Sequence, residues 1–331
     1  MNYQFRNVLL PNEVEDVKSL LAKNDLIYES KVTETIGLYD DSKLIATGSL
    51  DHNVIKMLAV DSNYQGEQLL NTVLSHLIHL LHMKNIYKYF IFTKPFNKKF
   101  FLDYNLFIIE ENQDIILFEN KIDTIVEQLH EMKSELKLNR GTTAAIVMNC
   151  NPMTLGHLYL IETVANKCDN LLIFLVEENL SVFPFDVRMK IVKKATKHLK
   201  NVMILPSTQY IISRATFPTY FLKEINEVTS IYMNLDIHIF LHYFMQIFEI
   251  DYRYVGTEPL DPLTNLYNQV MVSILKDKVI IIDRLKKDDL VLSASYVRKL
   301  AKEKNFDEIK KIVPPSTYTY LKSKKGRKLF S

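Results

Sequence analysis

Thr154, Gly156 and His157 bring a hydroxyl, a bare backbone and an imidazole together within four residues. An apolar run over 144–148 precedes them, then the loop Asn149-Cys150-Asn151-Pro152-Met153. The amphipathic segment 158–167 follows at once. This order predicts a buried strand, a tight loop and a helix whose first turn carries the histidine. A helix start offers unpaired N–H groups and partial positive charge, so it seats phosphate. Gly156 would let a ligand approach the backbone, and Asn149, Asn151, Thr154 and His157 add polar side chains. A plain helix cap and a surface histidine are the alternative.

A second helix start lies in Leu292-Ser293-Ala294-Ser295-Tyr296-Val297-Arg298. Ser293 has the character of an N-cap, and with Ser295 and Arg298 it could hold phosphate oxygens. Arg188, at the start of a predicted helix, is either another phosphate clamp or a salt-bridged surface arginine. Gly256 and Glu258 follow a strand-like run, where a carboxylate could orient ribose, base or metal. Phosphoryl transfer needs positioned donors more than covalent groups. His157 and Thr154 suit the phosphate under attack and its bridging oxygen, and Ser293, Ser295 and Arg298 suit the outer phosphates.

The elements that must position these residues begin at 142. Strand patterns at 144–148, 171–176, 202–205, 252–255 and 279–282 alternate with helical patterns at 185–199, 217–227, 236–249 and 263–275. Such alternation predicts a Rossmann-like parallel sheet with ligands beyond the carboxyl ends of its strands. The first 120 residues predict a separate α+β unit. It has helices at 12–22 and 69–81, strands at 34–39, 43–50, 54–60, 87–93, 106–110 and 114–119, and an Asp40-Asp41-Ser42 hairpin turn. Residues 121–141 form a helical connector. The expected division is therefore 1–120, 121–141 and 142–331.

Longer strings narrow the reading. The loop 149–157, the string Tyr210-Ile211-Ile212-Ser213-Arg214-Ala215-Thr216-Phe217-Pro218-Thr219-Tyr220-Phe221-Leu222, and Tyr254-Val255-Gly256-Thr257-Glu258-Pro259 with Thr264 and Tyr267-Asn268 resemble the [citrate (pro-3S)-lyase] ligase family. The paired motifs around His157 and Arg298 are similar to those of HxGH/TxGH nucleotidyltransferases. The resemblance covers nearly all of the second domain. It implies an α/β chain with a C-terminal nucleotidyltransferase domain behind a GNAT-like, acyltransferase-type domain. It also implies an acid-thiol ligase. Acetate attacks ATP carried with Mg²⁺, and the acetyl-adenylate then acylates the CoA-derived thiol of the citrate lyase acyl-carrier subunit. Ser213 and Arg214 join the nucleotide-site candidates on the same ground. A pantetheine-phosphate adenylyltransferase-like activity and a non-enzymatic acyl-CoA or nucleotide sensor remain alternatives.

Other features weigh less. Gln65-Gly66-Glu67-Gln68 is similar to the GNAT pyrophosphate loop, but Gln68 stands where a small residue would admit phosphate. Acetyl transfer by this part is not expected; it binds a pantetheine-like arm or docks the protein substrate. His76, His79 and His82 share a helix face without a carboxylate or cysteine to complete a metal set, so no metal site is predicted. Cys150 reads as a packing residue. The formal charge of +2 is too near neutral to point to nucleic acid, and no apolar run suits a membrane span. The two cysteines cannot build a disulfide framework. No signal peptide is visible at the start, so the cytoplasm is the expected compartment. The basic tail 322–328 reads as a solvated end.

Overall fold

The computed structural model describes residues 3–64, 67–177, 181–213, 216–217, 225, 229–259, 261–285 and 292–330. It divides into two units, Met1–Thr124 and Ile125–Ser331.

In the first unit the elements run β1 (Tyr3–Asn7), α1 (Pro11–Ala22), β2 (Glu34–Asp40), β3 (Lys43–Asp51), β4 (Val54–Val60), α2 (Glu67–Met83), β5 (Phe90–Thr93), α3 (Lys98–Asp103), β6 (Phe107–Glu111) and β7 (Ile116–Glu119). They build one sheet in the order β1-β2-β3-β4-β5-β7-β6. All pairings are antiparallel except β4 with β5, whose parallel ladder is limited to Val54 against Phe90 and Ile55 against Ile91. The β2–β3 turn uses Asp41 at φ 54°, a left-handed position that aspartate tolerates. Leu69, Val73, Leu74, Leu77 and Leu81 put the apolar stripe of α2 into the core. Gly48 of β3 admits that helix closely: a Cβ there would sit 2.7 Å from Leu77 Cδ1. The strand expected at 87–93 is formed only from Phe90. Strand β1 was not anticipated; it is a half-exposed edge strand whose Tyr3 and Phe5 alternate inward.

The second unit runs α4 (Thr124–Ser134), β8 (Thr143–Met148), α5 (Leu155–Ala165), β9 (Asn170–Leu175), α6 (Phe185–Ala195), β10 (Val202–Pro206), α7 (Thr229–Ile239), a π turn (Phe240–Phe244), a short turn (Met245–Ile247), β11 (Tyr252–Gly256), α8 (Pro262–Leu275), β12 (Val279–Ile282), α9 (Ala294–Lys302), α10 (Phe306–Ile312), α11 (Pro315–Lys322) and α12 (Lys324–Lys328). Every pairing is parallel, in the order β10-β9-β8-β11-β12. The chain reverses direction across the sheet between β8 and β11, the switch point where such sheets leave a crevice. The central strands are apolar almost throughout, as two covered faces demand, and all six residues of β9 are buried.

The helix expected at 236–249 begins earlier, at Thr229, and widens into the π turn. There Phe240, Phe244 and Phe248 close edge-on around Phe174 of β9. The helix expected at 217–227 falls mostly outside the described residues. The basic tail is not merely solvated: Ser323 caps α12 by accepting from Gly326 N at 3.1 Å, and Gly326 is buried.

Candidate functional site

The loop between β8 and α5 starts with a left-handed residue, Cys150 at φ 51°. Burial pushes the Cys150 thiol up to about 12, so it is a packing group and no nucleophile. Thr154 then caps α5. Its backbone N–H donates to His157 Nδ1 at 3.0 Å. Its Oγ1 lies 2.8 Å from the same nitrogen and accepts from His157 N–H at 3.4 Å. The backbone donor fixes Nδ1 as an acceptor, which leaves the imidazole proton on Nε2. Burial, reinforced by the nearby Arg284 cation, lowers the His157 pKa to about 4. The imidazole is therefore neutral at pH 7, with an Nε2–H donor still available.

Gly156 is near Leu292. A Cβ built on it would meet Leu292 O at 3.6 Å, an ordinary contact. The fold itself therefore does not require a glycine there. Leu292 directly precedes Ser293, which caps α9 by accepting from Tyr296 N at 3.1 Å. The two sequence motifs thus meet beside α5. Arg298 donates to Asn151 O, tying α9 to the first loop. Thr317 of α11 adds a buried bond to Met153 O at 2.9 Å. Ser295 is exposed in the first turn of α9.

Gly256 ends β11, its carbonyl held by Asn268 Nδ2 at 3.1 Å. Two residues on, Glu258 is ion-paired with Arg284. Arg284 also donates to Leu292 O at 2.9 Å, and its N–H reaches Thr257 Oγ1 at 2.9 Å. Arg284 escaped the sequence reading. The available signal was its position just beyond a strand's carboxyl end, the same one that selected Glu258.

Four of the expected nucleotide contacts make hydrogen bonds within the protein. Arg188 is wholly buried and donates to Phe183 O at 2.9 Å, Asn149 O at 3.0 Å and Val176 O at 2.6 Å. It braces the loops after β8 and β9 from behind. Asn149 and Asn151 join that framework, accepting from Ser181 Oγ at 3.1 Å and Phe183 N at 3.0 Å through their side-chain oxygens. Ser213 is 1% exposed, with Oγ 2.6 Å from Gln209 O. It belongs to a buried polar cluster centred on Asp236, which accepts from Ile212 N (2.6 Å), Thr216 Oγ1 (2.6 Å) and Tyr267 OH (2.7 Å). Arg253, over the Phe240 ring at 4.2 Å, donates to Tyr267 OH at 3.2 Å. Arg214 lies outside the described residues. A cavity of about 390 Å³ lined by Glu177, Ser181, Pro184, Phe185 and Asp186 opens at the end of β9. In the first unit, His76 stacks on Phe5 at 3.9 Å, while His79 and His82 are exposed.

Together these features define an α/β protein with a parallel sheet. At its switch point, two capped helix starts meet around a neutral histidine and two arginines. Residues 143–321 match the family described as Citrate lyase ligase C-terminal domain. The [Citrate [pro-3S]-lyase] ligase of Klebsiella pneumoniae is 34% identical over 315 residues, covering 93% of this chain and 92% of that protein. Its Escherichia coli (strain K12) counterpart is 32% identical over 319 residues, covering 94% and 91%. The chain belongs to the citrate lyase ligase family, whose members are enzymes. Solved structures are also similar to part of the chain. One is an acyl-CoA N-acyltransferase from Pseudomonas aeruginosa, 13% identical, covering 36% of this chain and 99% of that one with a TM-score of 0.32. Another is Escherichia coli ElaA, 12% identical, covering 36% and 100% with a TM-score of 0.31. No helix among the described residues is long and apolar enough to cross a membrane.

Proposed function

We propose that this chain activates acetate with ATP and passes the acetyl group to the CoA-derived thiol of the citrate lyase acyl-carrier subunit, in the cytoplasm. The observation that carries the reading is the meeting of both helix starts beside His157 at the switch point. Near-full-length similarity to named citrate lyase ligases supports the choice of substrates.

Acetate is already an anion at neutral pH, so the first step needs no general base. A carboxylate oxygen attacks the α-phosphorus, and pyrophosphate leaves. Charge grows on the phosphoryl oxygens and on the leaving group. The His157 Nε2–H serves those oxygens as a preorganised neutral donor, and the first turn of α5 adds backbone N–H groups. Thr154 sets the tautomer through Nδ1. Ser293, Ser295 and Arg298 hold the outer phosphates at the start of α9. Gly256 leaves room at the end of β11. Mg²⁺ arrives on the ATP phosphates. The carrier thiol then attacks the acetyl carbon, loses its proton, and AMP leaves. The cavity at the end of β9 offers the thiol arm an approach from beside the loop. The unit that precedes residue 121 serves the carrier or its arm, and residues 121–141 join it to the adenylating part.

Acetate-dependent exchange of pyrophosphate into ATP tests the reading. Exchange is expected with acetate alone, and net AMP release only with reduced carrier. Exchange that depends on phosphopantetheine would point instead to adenylyl transfer onto a cofactor precursor. ATP binding without pyrophosphate release would leave a sensor.

A further inference from the structure

We propose that Arg284 binds a phosphate group of the nucleotide directly, and that Glu258 occupies its guanidinium until the nucleotide arrives. The inference rests on the adenylation reading and assigns that site a residue that neither motif contains. Arg284 stands just past β12, beside the crevice flanked by β11. One donor goes to Leu292 O, which also approaches Gly156. Another goes to the Glu258 carboxylate. A guanidinium carries five N–H donors in a fixed fork, so the remaining three are unassigned among the described residues. The side chain is 22% exposed, which leaves a face that a ligand can reach.

Its charge is felt at the centre of the site. The Leu292 carbonyl that Arg284 grips faces Gly156, the residue before His157, so the cation stands by the first turn of α5. A neutral donor and a fixed cation side by side suit a phosphate whose negative charge grows during reaction. Glu258 would repel that phosphate if unpaired. Its pairing with Arg284 neutralises both groups, and a polyphosphate that takes over the guanidinium releases the carboxylate.

ATP affinity, measured by calorimetry on the full chain without acetate, tests this. Arg284→Ala should weaken ATP binding about 10- to 100-fold, the loss of one charged hydrogen-bonded contact. That variant alone is ambiguous, because it also takes a cation away from Glu258. The double variant Arg284→Ala/Glu258→Gln removes both charges. Affinity that stays within about threefold of Arg284→Ala supports the contact. Recovery to the wild-type value overturns it, because Arg284 would then only mask Glu258. Arg284→Gln keeps a donor for Leu292 O without the charge. At an unchanged melting temperature it should lose about tenfold or more, and unchanged affinity overturns the contact. Wild-type protein that binds no ATP overturns the adenylation reading itself. Equal binding by wild type and Arg284→Ala overturns only this contact.

Discussion

The loops after β8 and β10 carry similar residue types and turn them in opposite directions. After β8, Thr154 and His157 satisfy each other on one side and keep an Nε2–H available. After β10, Ser213 and Thr216 bury their hydroxyls, and Thr216 bonds directly to Asp236, whose carboxylate also accepts from Ile212 N and Tyr267 OH. One loop holds donors in reserve, and the other spends them on its own shape. Both are polar and both are specific strings. Only the bookkeeping of donors separates a ligand-facing loop from a scaffold. The same contrast divides two arginines. Arg188 serves three backbone carbonyls from full burial, whereas Arg284 bonds one carbonyl and one carboxylate from a partly open position.

Substitutions should keep activity and stability apart along this line. His157→Ala is expected to lower acetate-dependent pyrophosphate exchange by about two to three orders of magnitude, with little change in melting temperature. A near-wild-type rate would take His157 out of the mechanism. Asp236→Ala should do the reverse and cost roughly 3 kcal/mol in urea unfolding, because three buried donors lose one acceptor. A stable but inactive Asp236→Ala would break the comparison by making the second loop part of the chemistry.

The pH response sharpens it further. The folded pKa of His157, about 4, lies below the ordinary histidine value of about 6.5. The neutral form therefore favours folding. This contribution is full above about pH 6.5 and is lost as pH falls towards 4, up to about 3 kcal/mol in all. Imidazole NMR should show His157 protonated on Nε2 alone down to about pH 5; a midpoint near 6.5 would remove the neutral-donor assignment. The smallest effect belongs to Ser293→Ala. It should cost about 1 kcal/mol of stability through the lost cap and raise the ATP KM severalfold. A loss of stability with unchanged KM would make Ser293 a cap and nothing more.

Much of this was legible from residue order. The apolar runs of β8, β9 and β12 are short, uncharged and bounded by loops, so their period and spacing predict the parallel sheet directly. Thr154 and Ser293 are legible as caps because a hydroxyl before a helical pattern has one common use. What escaped depends on contacts between distant residues. Arg188 sits in a charged helical context, and nothing local reveals that loops after two strands converge on it. Ser213 lies in a polar string whose partner, Asp236, is more than 20 residues away on an apolar helix. Arg284 falls in a stretch of mixed charge with no motif, and its partner Glu258 comes from the end of the neighbouring strand. The π turn at Phe240–Phe244 answers to the packing of three phenylalanines on Phe174, which a helical period does not encode.

The bond from Thr317 to Met153 O joins residues 164 positions apart and locks the underside of the loop before α5. Contacts of such long sequence separation form late, because closing so large a loop carries an entropic cost before any contact rewards it. The loop before α5 should therefore reach its final shape after the sheet that supports it. In a refolding experiment, far-UV ellipticity should return before the ability to bind ATP. A chain cut ahead of α11 should keep its strands yet fail to hold the nucleotide.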